Sequence, residues 1–160
     1  MRSNVRPPPQ AMNSDDYDDP KLEAQWLSEQ RVNVQRYLQD EGLKHGGVAS
    51  ESAWFVAPYV SVWTIKSMIA SAAVGWWAIS GDLPTDYLSG RDAIDARTAL
   101  AAFAHRWREV SNYMLRGEEH PTVSIGRWRD RRELGDLLRR RAQTIEDWTH
   151  DDQMWQTPVA

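Results

Sequence analysis

Apolar and polar positions change their period twice along this chain. Leu22, Trp26, Leu27, Val34, Tyr37 and Leu38 fall at three- and four-residue steps, the spacing of one helix face. Asp19-Pro20 suits the start of that helix, because Asp accepts from orphan amides as an N-cap and Pro fits the first helical position. Gly42 supplies a left-handed stop, Leu43 packs back over it, and His45-Gly46-Gly47 follows as a turn. The period then shortens. Ala53–Ala57, Tyr59–Lys66 and Val74–Ser80 are rich in β-branched and aromatic residues and predict three strands. Pro58 cannot donate to a ladder and marks an edge, bend or bulge. Val60 and Val62 alternate with Trp63 and Ile65, so apolar residues fall on both faces and both faces are expected to be covered. Ser67–Ala73 is a small-residue connection, and Gly81, Asp82 and Pro84 end the third strand. Helical spacing then returns twice. Ala96, Leu100, Phe103, Trp107, Val110 and Met114 predict a helix over Asp95–Arg116, stopped by Gly117. Leu134, Leu138, Arg141, Ile145 and Trp148, with Leu137 alongside, predict another over Asp130–His150.

The order α-β-β-β-α-α predicts an α+β fold, a small and mostly antiparallel three-stranded sheet packed by about three helices. The domain is expected over residues 20–150, with its core around Trp54–Tyr87. Adjacent Trp76 and Trp77 must point to opposite faces of their strand. One is expected under the first helix, and the other under a later helix or at the surface. Residues 1–19, with Pro7, Pro8, Pro9 and four aspartates, read as a disordered tail, and residues 151–160 as a frayed end.

Composition narrows the function classes. A chain of 160 residues buries roughly 70% of its unfolded surface as one domain, enough for an unstapled core. It has no cysteine, which removes disulfides, thiolate metal sites and thiol catalysis, and favours a reducing, cytoplasmic setting. Residues 1–19 hold no apolar run, so no secretory signal is expected. The uncharged stretches 52–65 and 67–81 fall short of the roughly 20 residues of a spanning helix, so no membrane partner is expected. The net charge of −4 argues against a general nucleic-acid binder. Nine tryptophans suit core packing first, and interface anchors or stacking platforms second.

Gly75-Trp76-Trp77-Ala78-Ile79-Ser80-Gly81-Asp82-Leu83-Pro84-Thr85-Asp86-Tyr87 resembles the signature of a family of small proteobacterial proteins classed as a domain of unknown function. His45–Val48, Val56–Tyr59, Tyr113–Pro121 and Glu133–Leu138 resemble the same family, so the likeness runs from about Gln25 to Trp155. It implies no catalytic residues.

The first candidate site follows the third strand. Asp82 and Asp86, with Thr85 and Tyr87 beside them, suit a hard cation or acid–base work. The structural alternative makes Asp82 an Asx turn and Asp86 the cap of a short helical turn. Glu118, Glu119 and His120 complete that cluster if the two loops meet; otherwise they form an acidic helix exit that pairs with arginine. Two carboxylates alone are too few for a metal site, and no metal or cofactor is expected. Arg127, Arg129, Arg131, Arg132, Arg139, Arg140 and Arg141 offer an anion or RNA surface, or a solvated helix with local pairs. Arg141 differs from its neighbours. It lies on the apolar line of its helix and is expected to pair with Asp82, Asp86, Glu118 or Glu119. His45 is a candidate base on a turn or a polar turn residue, while His105 and His150 read as solvated.

Three functions are carried forward. The first is a protein-binding module of immunity-like or inhibitor type, with Trp77, Asp82, Thr85, Asp86, Tyr87 and Arg141 as its binding residues. The second is a metal-dependent or acid–base hydrolase using Asp82, Asp86, Glu118, Glu119 and His120. The third is anion or RNA binding along the last helix. The protein-binding module ranks first, because no nucleophile elbow, phosphate loop or triad spacing is present in the sequence.

Overall fold

Asp19 and Pro20 open α1 (Pro20–Asp40) in the computed structural model, which describes residues 14–70, 73–123, 125 and 131–156. The Asp19 carboxylate accepts from the Lys21 amide at 2.9 Å. At the other end Gly42 takes φ +71°, and the Leu43 amide donates to the Leu38 carbonyl at 3.0 Å. The spacing of Trp26, Val34 and Leu38 puts all three on the buried side of the helix.

The sheet has four strands, β1 (Trp54–Val56), β2 (Val60–Lys66), β3 (Val74–Gly81) and β4 (Leu83–Ser89), paired antiparallel in chain order. The element order is therefore α-β-β-β-β-α-α, which corrects the three-strand expectation. Asp82, Pro84 and Asp86 read as loop residues, yet Leu83–Ser89 is the sheet's outer strand. Pro84 is tolerated there because an edge strand can spare a donor. The bend between β3 and β4 is a single residue, Asp82, whose amide donates to the Tyr59 carbonyl at 2.9 Å. Gly81 makes this possible. It takes φ +153°, and a Cβ there would overlap the backbone of Tyr59. Pro58 follows a cis bond from Ala57 in the turn from β1 to β2.

Strand alternation sorts the core into two layers. Val60, Val62, Trp77, Ile79 and Leu88 face α2 (Ala96–Leu115) and α3 (Arg131–His150), meeting Leu100, Phe103, Trp107, Leu138 and Ile145. Trp63, Ile65 and Ala78 face α1 through Val34 and Leu38, with Trp76 at the margin. Both faces are thus covered, and Trp76 and Trp77 divide between them. The helix boundaries follow local chemistry. Asp95 caps α2 in a reciprocal capping box with Thr98.

The ends carry more structure than the composition suggests. Ser14–Asp18 forms a 3-10 turn whose Tyr17 meets Trp26 edge-on, while residues 1–13 lie outside the described residues. Asp152–Trp155, expected to fray, forms another 3-10 turn. Trp155 stacks on Trp54 at 4.3 Å and donates to the Trp148 carbonyl at 2.8 Å. Aromatic stacking therefore ties this segment to the sheet. Among the described residues, no helix is long and apolar enough to cross a membrane.

Candidate functional site

The β3–β4 hairpin carries both candidate aspartates and gives them opposite surroundings. Asp82, at the bend, has its side chain half exposed. Arg141 of α3 reaches it twice, Nε donating to the Asp82 carbonyl at 2.8 Å and Nη2 to its carboxylate at 3.3 Å. The expected pairing of Arg141 therefore exists, with Asp82 as the acid. Its setting differs from the expectation, because a third of the Arg141 side chain faces solvent. Such a pair contributes little stability. It does hold the bend against α3.

Asp86 points into the layer under α2 and is 2% exposed. Its Oδ2 accepts from the Trp107 indole N–H at 3.0 Å, and its Oδ1 from the Tyr87 amide at 2.8 Å. Arg106 Nε lies 3.3 Å from Oδ2 but is not aligned to donate, and it is buried without a hydrogen-bond partner. Burial pushes the Asp86 carboxyl above the ordinary carboxylate range, while Arg106 and the two hydrogen bonds pull it back. Burial and the nearby Asp86 carboxylate also push the Tyr37 phenol well above its usual range. Asp86 therefore caps no helical turn. It takes up an amide of the edge strand and ties that strand to α2, which leaves neither oxygen open to a substrate.

The other predicted residues separate. Thr85 Oγ accepts from Asn33 of α1 at 2.8 Å, and the same Asn33 amide donates to Ser80 Oγ, which donates to Gln30. Trp77 is buried, with its indole N–H on the Ala93 carbonyl, so it serves the core rather than a partner. Tyr87 is half-buried and meets Tyr37 edge-on.

Glu118 pairs with Arg116 at 3.4 Å, and Glu119 with Arg131. His120 is committed on both ring nitrogens. Nδ1 accepts from the Thr122 and Val123 amides, and Nε2 lies 3.2 Å from Glu109. It organises its own loop. Arg131 and Arg141, which hold Glu119 and Asp82 respectively, are ten residues apart on α3, about 15 Å along its axis. The two loops thus attach to different parts of the helix, one at its N-terminus and the other at its middle. Among the described residues, no group of three or more His, Asp or Glu gathers to hold a metal. His45 Nδ1 accepts from the Gly47 amide, which makes it a turn residue, and His105 and His150 are exposed. Arg127 and Arg129 lie outside the described residues.

What the bend does create is a pair of grooves flanking the Asp82–Arg141 bridge. One, of about 230 Å³, is lined by Tyr59, Leu83, Ile145, Thr144 and Trp148. The other, of about 460 Å³, lies along Gly81–Thr85 between Tyr37 of α1 and Leu134 and Leu137 of α3. Tyr59 and Trp148, which line the groove, and Trp107 and Arg106, which meet Asp86, were not among the predicted site residues. Periodicity predicted Trp107 and Trp148 as helix-face residues, but only the fold shows which strand each meets. The described tryptophans are all buried or half-buried, and Trp54, Trp148 and Trp155 cluster beside Tyr59.

The architecture is an α+β domain, a four-stranded antiparallel meander between one helix and two, with grooves at its last hairpin. The chain belongs to a family defined by a domain of unknown function, DUF4826, whose model matches residues 20–155. No curated protein and no solved structure matches the chain.

Proposed function

We propose that this chain is a cytoplasmic protein-binding module, acting by direct contact with a partner protein in the manner of an immunity or inhibitor protein. The observation that carries the reading is the pair of aromatic-lined grooves on either side of the Asp82–Arg141 bridge. Tyr and Trp bury large areas at small entropy cost, so half-exposed rings in a groove are suited to anchor a partner. Tyr59 is the most exposed of the groove aromatics, at 40%. The hydrolase reading has less support, because Asp86 and His120 are committed to structural bonds. We also take the family to be one of small proteobacterial proteins, with Gly75–Tyr87 as its signature.

The test compares immobilised wild-type chain with Tyr59→Ala and Arg141→Glu in lysate of the source organism. One protein retained by the wild type and lost by both variants is expected. A wild-type column that retains nothing beyond a blank matrix would refute the reading.

A further inference from the structure

We propose that the smaller groove receives an aromatic side chain of the partner protein together with a carboxylate next to that ring. This rests on the protein-binding reading and names the chemistry the partner must bring. Size is the first argument. The groove holds about 230 Å³. An apolar cavity of about 150 Å³ takes benzene, and sites for drug-sized ligands start near 300 Å³. One ring fits here, and a nucleotide cofactor does not. The walls suit a ring, since Leu83 and Ile145 line the groove with Tyr59 and Trp148, whose centroids are 6.4 Å apart at a 58° tilt.

Polar complementarity supplies the carboxylate. The indole N–H groups of Trp54, Trp63, Trp77, Trp107 and Trp155 are all used on protein acceptors. Among the described residues, those of Trp26, Trp76 and Trp148 make no such bond, and of these three Trp148 lines the groove. The Tyr59 hydroxyl is also unused among the described residues. Arg141 engages Asp82 through Nε and Nη2, leaving Nη1 for a ligand.

The groove thus offers free donors and the Arg141 guanidinium, and its single carboxylate is already bridged. A ligand that fills it must bring acceptors, and a carboxylate matches a guanidinium fork best. A base with its phosphate presents similar chemistry. The half-exposed Asp82 carboxylate and the net charge of −4 oppose a polyanion, so an acidic protein segment is favoured.

The test follows indole and amide N–H signals of the full ¹⁵N-labelled chain. The probes are acetyl-Phe-Glu-amide and acetyl-Phe-Gln-amide, which differ only in the carboxylate. The Glu probe is expected to move the Trp148 indole signal, identified by its loss in Trp148→Phe. The Gln probe should bind about tenfold more weakly or worse. Arg141→Gln should erase that difference while its amide spectrum stays folded. Equal affinity for the two probes, or a Trp148 signal that neither probe moves, would overturn the proposal. So would an oligouridylate that moves this signal at lower concentration than the Glu probe. Partner capture that survives both Arg141→Gln and Tyr59→Ala would overturn the groove assignment and leave the protein-binding reading intact. A Glu probe that binds while capture fails would overturn a protein as the source of this chemistry and leave the groove's ring-and-carboxylate preference standing.

Discussion

Asp82 and Asp86 are the same residue type, four positions apart in one hairpin, and the fold uses them in opposite ways. Asp82 sits on the bend, half in water, and shares its charge with a guanidinium that is one-third exposed. Asp86 sits on the strand, out of water, with Trp107, the Tyr87 amide and Arg106 around it. The first is cheap to change and open to a partner. The second is costly to change and closed. A carboxylate's place relative to the sheet, more than its neighbours in sequence, decides whether it is buried and bonded or left half in water.

The comparison breaks most directly at Asp86. Asp86→Ala removes the acceptor of a buried indole N–H and strands the Arg106 guanidinium, so a loss of about 3 kcal/mol or more is expected in urea unfolding. A loss below about 1 kcal/mol would mean that the buried carboxylate is not what ties β4 to α2. Gly81→Ala comes next. Its Cβ would meet the Tyr59 carbonyl at a φ of +153°, so about 2 kcal/mol or more should be lost. Near-neutral behaviour would show that the bend relaxes freely.

The pH response sharpens the contrast further. Because burial raises the Asp86 carboxyl in the folded state, that state binds its proton more readily than the unfolded chain does. The Asp86 contribution to stability is then fully present below the unfolded carboxylate value of about 4 and is lost as pH rises through the raised folded value. Wild type should therefore gain on Asp86→Asn as pH falls from neutral towards about 4, as read by paired urea titrations. A difference that stays flat, or moves against the wild type, would reverse the assigned direction. Asp82→Ala is expected to be the mildest, shifting stability by less than about 1 kcal/mol while weakening partner capture. If it unfolds the chain as readily as Asp86→Ala, the distinction between the two residues collapses.

Much of the fold was legible in advance. The helices announce themselves through Asp19-Pro20, Gly42 and Gly117, because caps and stops are local chemistry. Trp76 and Trp77 had to part because neighbouring strand residues face opposite ways. β4 was not legible. Its Pro84 and Asp86 carry loop propensities, which the β3 ladder and the α2 contacts override. The site was half legible. Arg141 stood out as a charge on an apolar line, and its need for an acid followed. That the acid is Asp82 depends on which part of α3 the bend reaches.

What the sequence determined alone is therefore local. It covers helix spans, turn glycines, the two-faced sheet and the presence of a charge that required a partner. Each follows from backbone preference or from side-chain period within a few residues. Tertiary structure alone decided that Asp86 is buried and Asp82 is not. It also decided that His120 is tied up by its own loop, and that Tyr59 and Trp148, far apart in sequence, share a groove. These outcomes turn on desolvation and on contacts between distant segments, and neither is written in the spacing of residues along the chain.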